Sequence, residues 1–362
     1  MGTRKNRHRS GQREERNVNR GRQGTRRKTW KRPLLLGITV FCAVFIFCIG
    51  AFVGFLYKTS TGTQWRLLLA ETVASTRHYQ WARWLTTPEE FEQIMKGLSG
   101  IAVSQSDINA VTPSETTANA DSIQVIPIHG SGYNGDVMLI HNPKLIRLVP
   151  AKVVGDEGEY ITDMAKRVGA VAGINASGFE DPNGEGWGGI PVGLEYVNGQ
   201  VMQASKDDPS WATVGFTDSG VMVMGNYTEN QLASLGVRDA MQFHPELVVN
   251  GQPTITEGDG GWGTDPRTAI GQAKDGTVIF VVINGRLHAG SIGATMRQVM
   301  DIMLQYHAVN ACAMDGGSSS VMYYNGKIIN SPSTIDPNGQ RHLPDAWMVF
   351  PTVAAANAMT TP

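Results

Sequence analysis

An acidic residue separates an apolar run from a cluster of small polar residues in AMDGGSSSVMYY, residues 313–324. Asp315 ends a segment with the composition of a buried strand, and Gly316, Gly317 and three serines follow it. Folds of the α/β type often place their chemistry at strand ends. A loop of this composition also offers backbone N–H groups and hydroxyls to an anion. The alternative is a turn that happens to contain an acid.

Two familiar motifs are absent from this loop. It has neither the spacing nor the lysine of a nucleotide P-loop. No G-x-S-x-G elbow surrounds Ser319 to make it the nucleophile of a catalytic triad. If the loop is functional, its carboxylate is therefore the group to explain.

Two further stretches interrupt the regular texture of strands and turns. GINASGFEDPNGEGWGG, residues 173–189, places Asn175 at the end of an apolar run, before acids and glycines that let a backbone approach a ligand closely. GDGGWGTDPRTAIGQ, residues 258–272, holds Arg267 in a short stiff segment suited to a two-point grip on phosphate or carboxylate. The alternatives are structural: Asn175 as the cap of a surface turn, and Arg267 in an ion pair with a neighbouring acid.

The stretch FVVINGRLHAGS, residues 280–291, is an apolar strand that ends in Asn284, Gly285 and Arg286. By itself it has the pattern of a hairpin turn.

Taken together and in order, INASGF, PRTAIGQ, VVINGR and MDGGSSSVMYYNGKIINSPS, ending in QRHLPDAWMVF, resemble the phosphodiester glycosidase family. The resemblance covers about residues 123–352. It implies cleavage of the bond between a sugar's anomeric carbon and a phosphodiester oxygen. An animal member removes N-acetylglucosamine from such a diester, and bacterial members are often described as exopolysaccharide-biosynthesis proteins. One motif alone would be a weak signal, whereas the set in this order and spacing is specific.

The chain departs from the usual family motifs at three places. Those motifs are close to N-G-G-F, P-R-T-A-I-G, D-G-R and D-G-G-G-S-S. Here one extra residue follows Asn175, Ser318 replaces a glycine, and Asn284 stands where the family usually has aspartate. If that aspartate were catalytic, the last change would impair this chain. The positions that match are Asn175, Gly178, Phe179, Arg267, Gly285, Arg286, Asp315, Gly316, Gly317, Ser319, Ser320, Asn330 and Arg341.

The resemblance implies a site that holds a phosphate beside a positively charged sugar. Asp315 is predicted to act as nucleophile, base or electrostatic partner of an oxocarbenium-like centre. Because phosphate departs readily, a strong general acid is less necessary than for an ordinary glycoside. The predicted catalytic residues are Asp315, Arg267 and Asn175, and the predicted substrate-binding residues are Arg286, Asn284, Gly316, Gly317, Ser318, Ser319, Ser320, Asn330, Arg341 and Glu180. Weaker candidates for a second carboxylate are Glu180, Glu185 and Asp259, and retention or inversion stays open.

No bound cofactor and no metal site are predicted. Cys42 and Cys48 lie in one apolar stretch, and Cys312 is the only cysteine beyond it, so that part of the chain can form neither an intramolecular disulfide nor a cysteine cluster for zinc. Whether a divalent ion helps to hold the phosphate stays open.

The elements around these loops predict an α+β fold of mostly antiparallel strands with a few helices. Short apolar runs alternate with turn signals, and Asn-Gly pairs at 198–199, 250–251, 284–285 and 325–326 indicate hairpins. Helical spacing occurs over 162–170 and 293–308, the second with Met296, Val299, Met300, Met303 and His307 on one face. Residues 64–99 also have helical spacing, with a helix start at Thr87-Pro88-Glu89-Glu90.

A long apolar segment near the N-terminus predicts a membrane anchor. Residues 34–57 contain no charge and are long enough to cross about 30 Å of hydrocarbon as a helix. A cleaved signal peptide is the alternative, but its apolar region is usually shorter and is followed by a small-residue cleavage site. The basic flank predicts that residues 1–33 stay in the cytoplasm and that the rest lies outside the cell membrane.

Charge is distributed unevenly between the two sides of this segment. Residues 1–32 carry 13 Lys/Arg against two Glu, and the remaining chain carries 18 Lys/Arg against 30 Asp/Glu. The basic arm could contact nucleic acid, but its position before a span favours a topology signal that is attracted to anionic lipid. Nucleic acid is therefore not a predicted partner. The predicted partners are membrane lipid through residues 34–57 and a glycan or sugar-phosphate polymer.

The predicted organisation has six segments, and three functions compete for it. They are a cytoplasmic tail (1–33), a transmembrane helix (34–57), a helical stalk (58–102), a linker (103–122), the glycosidase-like domain (123–352) and a C-terminal tail (353–362). The favoured function is a membrane-anchored extracellular glycosidase that cleaves a sugar 1-phosphodiester in a surface glycan or exopolysaccharide of a bacterium. The alternatives are a non-catalytic glycan-binding protein of the same fold, and a sensor or scaffold that works through the basic tail.

Overall fold

The computed structural model describes residues 31–76, 78–98, 103–114, 123–153, 155, 157–181, 186–204, 211–285 and 290–360. The chain divides into two compact units, Met1–Phe55 and Leu56–Pro362. The helices are α1 (Lys31–Lys58), α2 (Ser60–Ala74), α3 (Pro88–Leu98), α4 (Ile161–Val168), α5 (Glu229–Ser234), α6 (Met296–Gln305) and α7 (Val353–Asn357).

Helix α1 contains the segment predicted to span a membrane. Over Leu35–Lys58 its mean hydropathy reaches 2.7, and it is the one helix in the described part of the chain that is long and apolar enough to cross a bilayer. None of the residues in its most apolar window is buried by protein. Length and composition therefore agree with a membrane anchor near the N-terminus.

The second unit is built on antiparallel sheets. Its strands are β1 (Gln124–Gly130), β2 (Tyr133–Ile140), β3 (Ile146–Pro150), β4 (Ala172–Asn175), β5 (Leu194–Val197), β6 (Gln200–Ala204), β7 (Ala212–Thr217), β8 (Met222–Gly225), β9 (Val237–Phe243), β10 (Glu246–Val249), β11 (Gln252–Pro253), β12 (Thr268–Ala273), β13 (Val278–Ile283), β14 (Ala308–Met314), β15 (Met322–Tyr324), β16 (Lys327–Ile328) and β17 (Asp345–Val349).

Three sheets contain these strands. A seven-stranded sheet has the order β1-β2-β13-β12-β14-β10-β11, and two five-stranded sheets have the orders β16-β15-β4-β17-β3 and β6-β5-β9-β7-β8. Every strand pair described in them is antiparallel. The predicted class, α+β with mostly antiparallel strands and a few helices, is confirmed.

The register of the seven-stranded sheet brings three loop positions to one edge. Thr268, the first residue of β12, pairs with Val282 near the end of β13 and with Met314 at the end of β14. Because antiparallel neighbours run in opposite directions, the start of β12 lies between the ends of the other two strands. The residues just beyond these three strand ends are Arg267, Asn284 and Asp315.

The second sheet supplies the opposing edge. Asn175 ends β4 and pairs with Ala346, so it lies next to Asp345 at the start of β17. The main chain then joins the two sheets, because the Asp315 N–H donates to the Ala176 carbonyl at 3.1 Å. Edges from two different sheets therefore meet at Asp315.

Helix α6 directly precedes strand β14 in the chain. Thr295 caps it in a capping box with Gln298, and Met296, Val299, Met300 and Met303 are buried as the spacing predicts. The prediction that helical spacing continues over 293–308, with His307 on the same face as Met296, Val299, Met300 and Met303, is wrong at its C-terminal end. The helix ends at Gln305, and His307 has φ +63°, a left-handed conformation that no helix continues.

Three of the four Asn-Gly pairs form the predicted hairpins. The pairs at 198–199, 250–251 and 325–326 have positive φ at both residues and join neighbouring strands, as a type I′ turn requires. The pair Asn284-Gly285 does not turn the chain this way, since neither residue has positive φ and the Gly285 N–H donates to the Ser331 carbonyl at 2.7 Å. The hairpin prediction is wrong there.

The segment between α1 and the sheets is helical, as predicted, and helix α3 begins at the predicted Thr87–Glu90 motif. The Thr87 hydroxyl accepts from the Glu90 N–H at 3.2 Å, and the Glu90 carboxylate accepts from the Thr87 N–H at 2.8 Å. Arg66 of α2 forms a two-point ion pair with Glu90, with both distances 2.7 Å. The predicted stalk helices are thus joined to each other.

Residues 103–114 differ from the linker prediction. Ser106 is buried, its N–H donates to the Met224 carbonyl at 2.7 Å, and its hydroxyl accepts from the Met224 N–H at 2.8 Å. The Thr112 N–H donates to the Lys274 carbonyl at 2.9 Å. Polar composition suggested a free segment, but the polar groups are used to attach it to the domain. Residues 115–122 lie outside the described residues.

A buried ion pair connects the two five-stranded sheets. Arg147 of β3 donates to both carboxylate oxygens of Asp239 on β9, at 2.5 and 3.0 Å, and both side chains are buried. Arg147 also donates to the Ala356 carbonyl at 2.6 Å and to the Asn198 side chain. These hydrogen bonds to Arg147 offset the free-energy cost of burying its charge.

Candidate active site

Asp315 directly follows Met314, the last residue of β14, at the point where the chain leaves the seven-stranded sheet. The side chain is half-buried, its neighbour Gly316 donates an N–H to the carboxylate at 3.0 Å, and the Ser319 hydroxyl hydrogen-bonds it as well. The loop then forms a single 3-10 turn over Gly317–Ser319. Gly317 has φ +59°, which a residue with a side chain adopts only with strain.

Most backbone N–H groups of this loop are already occupied. Gly317 donates to the Pro266 carbonyl at 2.9 Å, Ser319 to the Gly316 carbonyl at 3.1 Å, and Ser320 to the Gly317 carbonyl at 3.3 Å. The structure therefore differs from the prediction of an anion cradle, because these donors hold the loop in shape. The loop therefore fixes the position of the Asp315 carboxylate.

Burial raises the pKa of Asp315 to about 6. The hydrogen bond from Ser319, the charge of Arg341 and the Gly316 N–H oppose this shift, whereas the charge of Asp181 adds to it. At neutral pH the carboxylate is therefore largely ionised, and it is more basic than an exposed aspartate. A carboxylate that is both ionised and unusually basic suits a group that must face a positive sugar or take a proton from water.

Asn175 is a clamp rather than a group that faces a substrate. It is fully buried. Its amide donates to the Asp315 carbonyl at 2.7 Å, and its oxygen accepts from the Thr268 hydroxyl at 2.8 Å and the Val321 N–H at 3.1 Å. One side chain thus joins β4, β12 and the loop after Asp315. The predicted catalytic role differs from this geometry, which makes Asn175 a positioning residue.

Arg267 is also turned toward the protein. Only 4% of it is exposed. Its guanidinium donates to the main-chain carbonyls of Trp262 (2.7 Å), Gly263 (3.1 Å) and Ala294 (3.2 Å), and its Nη1 lies beside Gly316. A guanidinium bonded in this way stiffens the loop before β12 and supports the Asp315 loop. The predicted grip on a phosphate is not what this conformation provides.

Asn284 uses both ends of its amide inside the protein. The NH₂ group donates to the Asn134 side-chain oxygen at 2.5 Å, and the oxygen accepts from the Ser331 N–H at 2.7 Å. An ionised aspartate at this position would have no N–H to donate to the Asn134 oxygen. Asn330 is similarly internal, bonded to Met322 N–H at 2.8 Å and Ser320 carbonyl at 3.0 Å. The predicted residue Arg286 lies outside the described residues.

Arg341 is the predicted residue whose charge stays accessible beside Asp315. Its side chain is 24% exposed. It donates to the Ser318 hydroxyl at 2.9 Å and the Gly186 carbonyl at 3.1 Å, and its other contact is Asp181 at 3.4 Å. The guanidinium carbon lies 4.3 Å from the centre of the Phe179 ring, a cation–π distance. Arg341 therefore connects the loop after Asp315 with the loop after Asn175.

The two weaker carboxylate candidates that the structure describes, Glu180 and Asp259, do not join Asp315. Glu180 is exposed, and its N–H donates to the Ile190 carbonyl at 2.9 Å. Asp259 accepts from the Gly261 N–H at 2.9 Å and hydrogen-bonds Glu71 of helix α2. Glu185 lies outside the described residues. The acid that the structure places beside Arg341 is Asp181, which the sequence analysis did not single out.

Sequence reasoning missed a buried acid network behind the site. Asp345 accepts from the Ser177 N–H at 2.7 Å and from its hydroxyl at 2.5 Å. Glu195 of β5 lies against Asp345, and both acids are fully buried. Burial raises the pKa of both, and the charge of Asp315 raises that of Asp345 further. A glutamate inside the apolar strand LEYV was the signal available.

Asp265 is a further acid that the sequence analysis did not single out. It is buried, precedes the Pro-Arg motif, and its carboxylate lies beside Gly317. Within the described residues, no group of three or more His, Cys, Asp or Glu side chains is arranged to hold a metal ion.

Comparisons with known proteins agree with this class of fold. The catalytic domain of zebrafish N-acetylglucosamine-1-phosphodiester alpha-N-acetylglucosaminidase, solved in a form auto-inhibited by its pro-peptide, superposes with a TM-score of 0.54. The two are 18% identical, and the match covers 69% of this chain and 88% of that domain. At this identity the likeness shows the fold alone, a sheet-rich domain.

The sequence model of the phosphodiester glycosidase family matches residues 168–350, half of the chain, and the chain belongs to that family. The predicted family is thereby confirmed. A Bacillus subtilis protein, the SPbeta prophage-derived uncharacterized protein YomE, is 34% identical over 185 residues, which are 48% of this chain. The chain spans only 27% of that relative's length.

Proposed function

We propose that this protein hydrolyses a sugar 1-phosphodiester by breaking the bond between the anomeric carbon and the phosphate oxygen. The observation that carries the proposal is Asp315, a half-buried carboxylate of raised pKa that lies within the electrostatic influence of the partly exposed Arg341. Family membership supports the same reaction. The zebrafish protein of similar fold is named for an N-acetylglucosamine 1-phosphodiester, so that compound is the first substrate to test.

The residues divide the work in the following way. Arg341 pairs with the phosphate oxygens, and the negative charge of Asp315 stabilises the sugar as positive charge develops at its anomeric carbon. Water adds to that carbon, the C–O bond to phosphate breaks, and the bonding electrons leave with the phosphate monoester. The proton lost by water passes to Asp315 when it acts as the base. Asn175 and Arg267 hold the two loops in place.

We also propose that helix α1 anchors the domain to a membrane. The basic residues before the helix favour retention of residues 1–33 in the cytoplasm, with the domain on the opposite face. A glycan or sugar-phosphate polymer at the cell surface, such as an exopolysaccharide, would then be within reach of the site. Limited proteolysis of intact cells and of inverted vesicles tests this orientation.

Sugar release tests the enzyme proposal. The full chain, purified in detergent, is incubated with a methyl phosphodiester of N-acetylglucosamine, and free sugar is measured. We expect release by the wild type, a loss of about a hundredfold or more in Asp315→Asn, and normal release in Asp301→Asn, an exposed acid on α6.

The alternative is a glycan-binding protein without activity, which the asparagine at position 284 suggested. Its side chain is engaged by Asn134 and Ser331, which gives it a structural use in this chain. Binding of the diester without any release of sugar would favour the binding protein over the enzyme.

A further inference from the structure

Trp187, near the candidate site, has an exposed side chain although its backbone is fixed by hydrogen bonds. Trp187 is 61% exposed. Its carbonyl accepts from the Gly158 N–H at 2.8 Å, and the nearby Gly189 carbonyl accepts from the Gly155 N–H at 3.0 Å. Gly188 packs so closely on the His342 carbonyl that a side chain would not fit there. The exposure of Trp187 is therefore a property of a fixed segment.

Two further rings stand behind Trp187. His342 lies 5.9 Å from it between ring centres, and Tyr160 stacks on His342 at 4.0 Å. The Tyr160 hydroxyl donates to Asp336 at 2.8 Å, and the His342 ring lies 3.3 Å from Glu157. We call Trp187, His342 and Tyr160 the aromatic wall.

Arg341 joins the aromatic wall to Asp315. It precedes His342 in the chain and donates to the carbonyl of Gly186, the residue before Trp187, at 3.1 Å. Its other arm donates to Ser318, three residues after Asp315, at 2.9 Å. A ligand that reached from Arg341 along the protein surface would next meet the indole of Trp187.

The chemistry of the aromatic wall identifies its occupant. A pyranose ring has one face of C–H groups, which packs on an indole, and an edge of hydroxyls, which hydrogen-bonds polar groups. The acids Glu157 and Asp336 with Asn338 provide such groups beside the wall. The same acids disfavour the anionic surface of a membrane, the other place where exposed tryptophans reside.

We propose that Trp187, supported by His342 and Tyr160, forms a second sugar-binding subsite, on which a pyranose ring adjacent to the reacting sugar of the glycan stacks. The proposal rests on the proposed function for the identity of the first subsite. It predicts that the protein prefers a chain of sugars to a single one.

Calorimetric titration of the full chain with two probes tests the second subsite. The probes are two phosphonates of N-acetylglucosamine in which a CH₂ group replaces the anomeric oxygen, so that neither is hydrolysed. The methyl ester is the monosaccharide probe, and the ester with the 6-hydroxyl of a methyl glucoside, which places a second pyranose beyond the phosphorus, is the disaccharide probe. The detergent has a polyoxyethylene head so that no detergent sugar competes. We expect the wild type to bind the disaccharide more tightly. Trp187→Ala should weaken disaccharide binding about tenfold and leave monosaccharide binding unchanged, while Trp187→Phe should keep most of the affinity.

Trp84→Ala is the matched control, because Trp84 is 79% exposed in the helical segment and should change neither affinity. Equal disaccharide affinity in the wild type and Trp187→Ala would overturn the subsite, as would a wild type that does not distinguish the two probes. Titration does not depend on hydrolysis, so the subsite and the enzyme proposal fail separately. A tenfold loss of disaccharide affinity in Trp187→Ala, in a protein that releases no sugar, would support the subsite and contradict only the proposal that the protein is an enzyme.

Discussion

Asp315 combines two properties that ordinarily exclude each other: contact with solvent and a raised pKa. The first lets a substrate reach it, and the second follows from the protein packed around it. Ser319, Gly316 and Arg341 limit the shift by favouring the ionised form. The carboxylate is therefore basic enough to accept a proton and still ionised at neutral pH.

The pH dependence of kcat/KM should reveal this balance. We expect activity to fall as the pH drops below about 6, because protonation removes the negative charge of Asp315. Ser319→Ala removes a hydrogen bond to the carboxylate and should move this acid limb to higher pH. Asp181→Asn removes a repelling charge and should move it to lower pH. An acid limb that keeps its position in both variants would contradict the assignment of the limb to Asp315.

The same pKa has a defined effect on stability. Because the folded-state pKa of Asp315 lies above its value in an unfolded chain, protonation favours the folded state. The stabilising contribution is thus complete below the unfolded pKa, about 4, and is lost as the pH rises through about 6. The site keeps an ionised acid at some expense of stability.

The sequence motifs drew attention to individual residues but gave no information on how their side chains are oriented. Asp315 and Arg341 were named from the motifs, and the structure places them together. Arg267 and Asn175 were named for the same reason, yet their side chains bond the protein's own carbonyls. Sequence does not show which way a side chain points, and a motif can serve the shape of a loop. Asp345 and Glu195 come from distant strands, so no local pattern connected them.

Asn175 is the point where two sheets and a loop are held together, so its loss should cost stability as well as activity. Asn175→Ala leaves the Thr268 hydroxyl, the Val321 N–H and the Asp315 carbonyl without their partner. We expect the free energy of unfolding in urea to fall by about 2–4 kcal/mol. Thr268→Val removes one of these bonds and should cost about 1 kcal/mol. If neither variant lost a measurable part of its free energy of unfolding, Asn175 would not be the residue that holds the two sheets and the loop together.

Helix α2 contacts the loop that carries Arg267. The Thr264 N–H donates to the Thr72 hydroxyl at 2.9 Å, and Glu71 shares a hydrogen bond with Asp259. Burial, and then the charge of Asp259, raise the pKa of Glu71 to about 8. Two carboxyl groups can remain together only while one of them holds a proton.

The contact between α2 and this loop should therefore weaken in alkali. The stabilisation that Glu71 contributes is present at low pH and is lost as the pH rises through about 8. We expect amide hydrogen exchange in residues 60–74, corrected for the intrinsic effect of pH, to accelerate between pH 7 and pH 9. Glu71→Gln should abolish that acceleration. An unchanged acceleration in the variant would show that another group controls the contact.

Predictions of elements succeeded where a local signal determines the backbone. Thr87-Pro88-Glu89-Glu90 begins a helix, and three Asn-Gly pairs form hairpins, because caps and left-handed residues act within a few positions. The hairpin prediction for Asn284-Gly285 was wrong because the Gly285 N–H donates to the carbonyl of Ser331, a residue far away in the sequence. The attachment of residues 103–114 was missed for the same reason: their partners are far away in the sequence.

For the whole molecule, the pair Arg147–Asp239 carries stability across two sheets. Asp239→Leu leaves a buried arginine without its carboxylate, and we expect the free energy of unfolding to fall by about 3–5 kcal/mol. The double variant Arg147→Met with Asp239→Leu should recover part of this loss, because the charge of Arg147 is then removed together with its partner. Recovery should be partial, since Arg238, 3.7 Å from Asp239 and 11% exposed, keeps its charge there. Thermal unfolding with both variants measures the difference. A double variant less stable than Asp239→Leu would contradict this account.

The general architecture was accessible from the sequence because three signals with different origins agree. The apolar segment, the density of turn signals and the ordered motifs predicted an anchor-like helix, an antiparallel α+β domain and a family. The arrangement of strands into three sheets was not predicted, since pairing partners such as β4 and β17 are separated by most of the domain. That arrangement brings Asp315 and Asn175 together.

The most direct test of the central claim is which bond breaks. A methyl phosphodiester of N-acetylglucosamine is hydrolysed by the full chain in ¹⁸O-labelled water, and the phosphate monoester is examined by ³¹P NMR, because its oxygens do not exchange with water as the sugar's hemiacetal oxygen does. Cleavage at the anomeric carbon predicts a phosphate monoester without label. A labelled phosphate monoester would mean attack at phosphorus and would contradict a phosphodiester glycosidase built around Asp315.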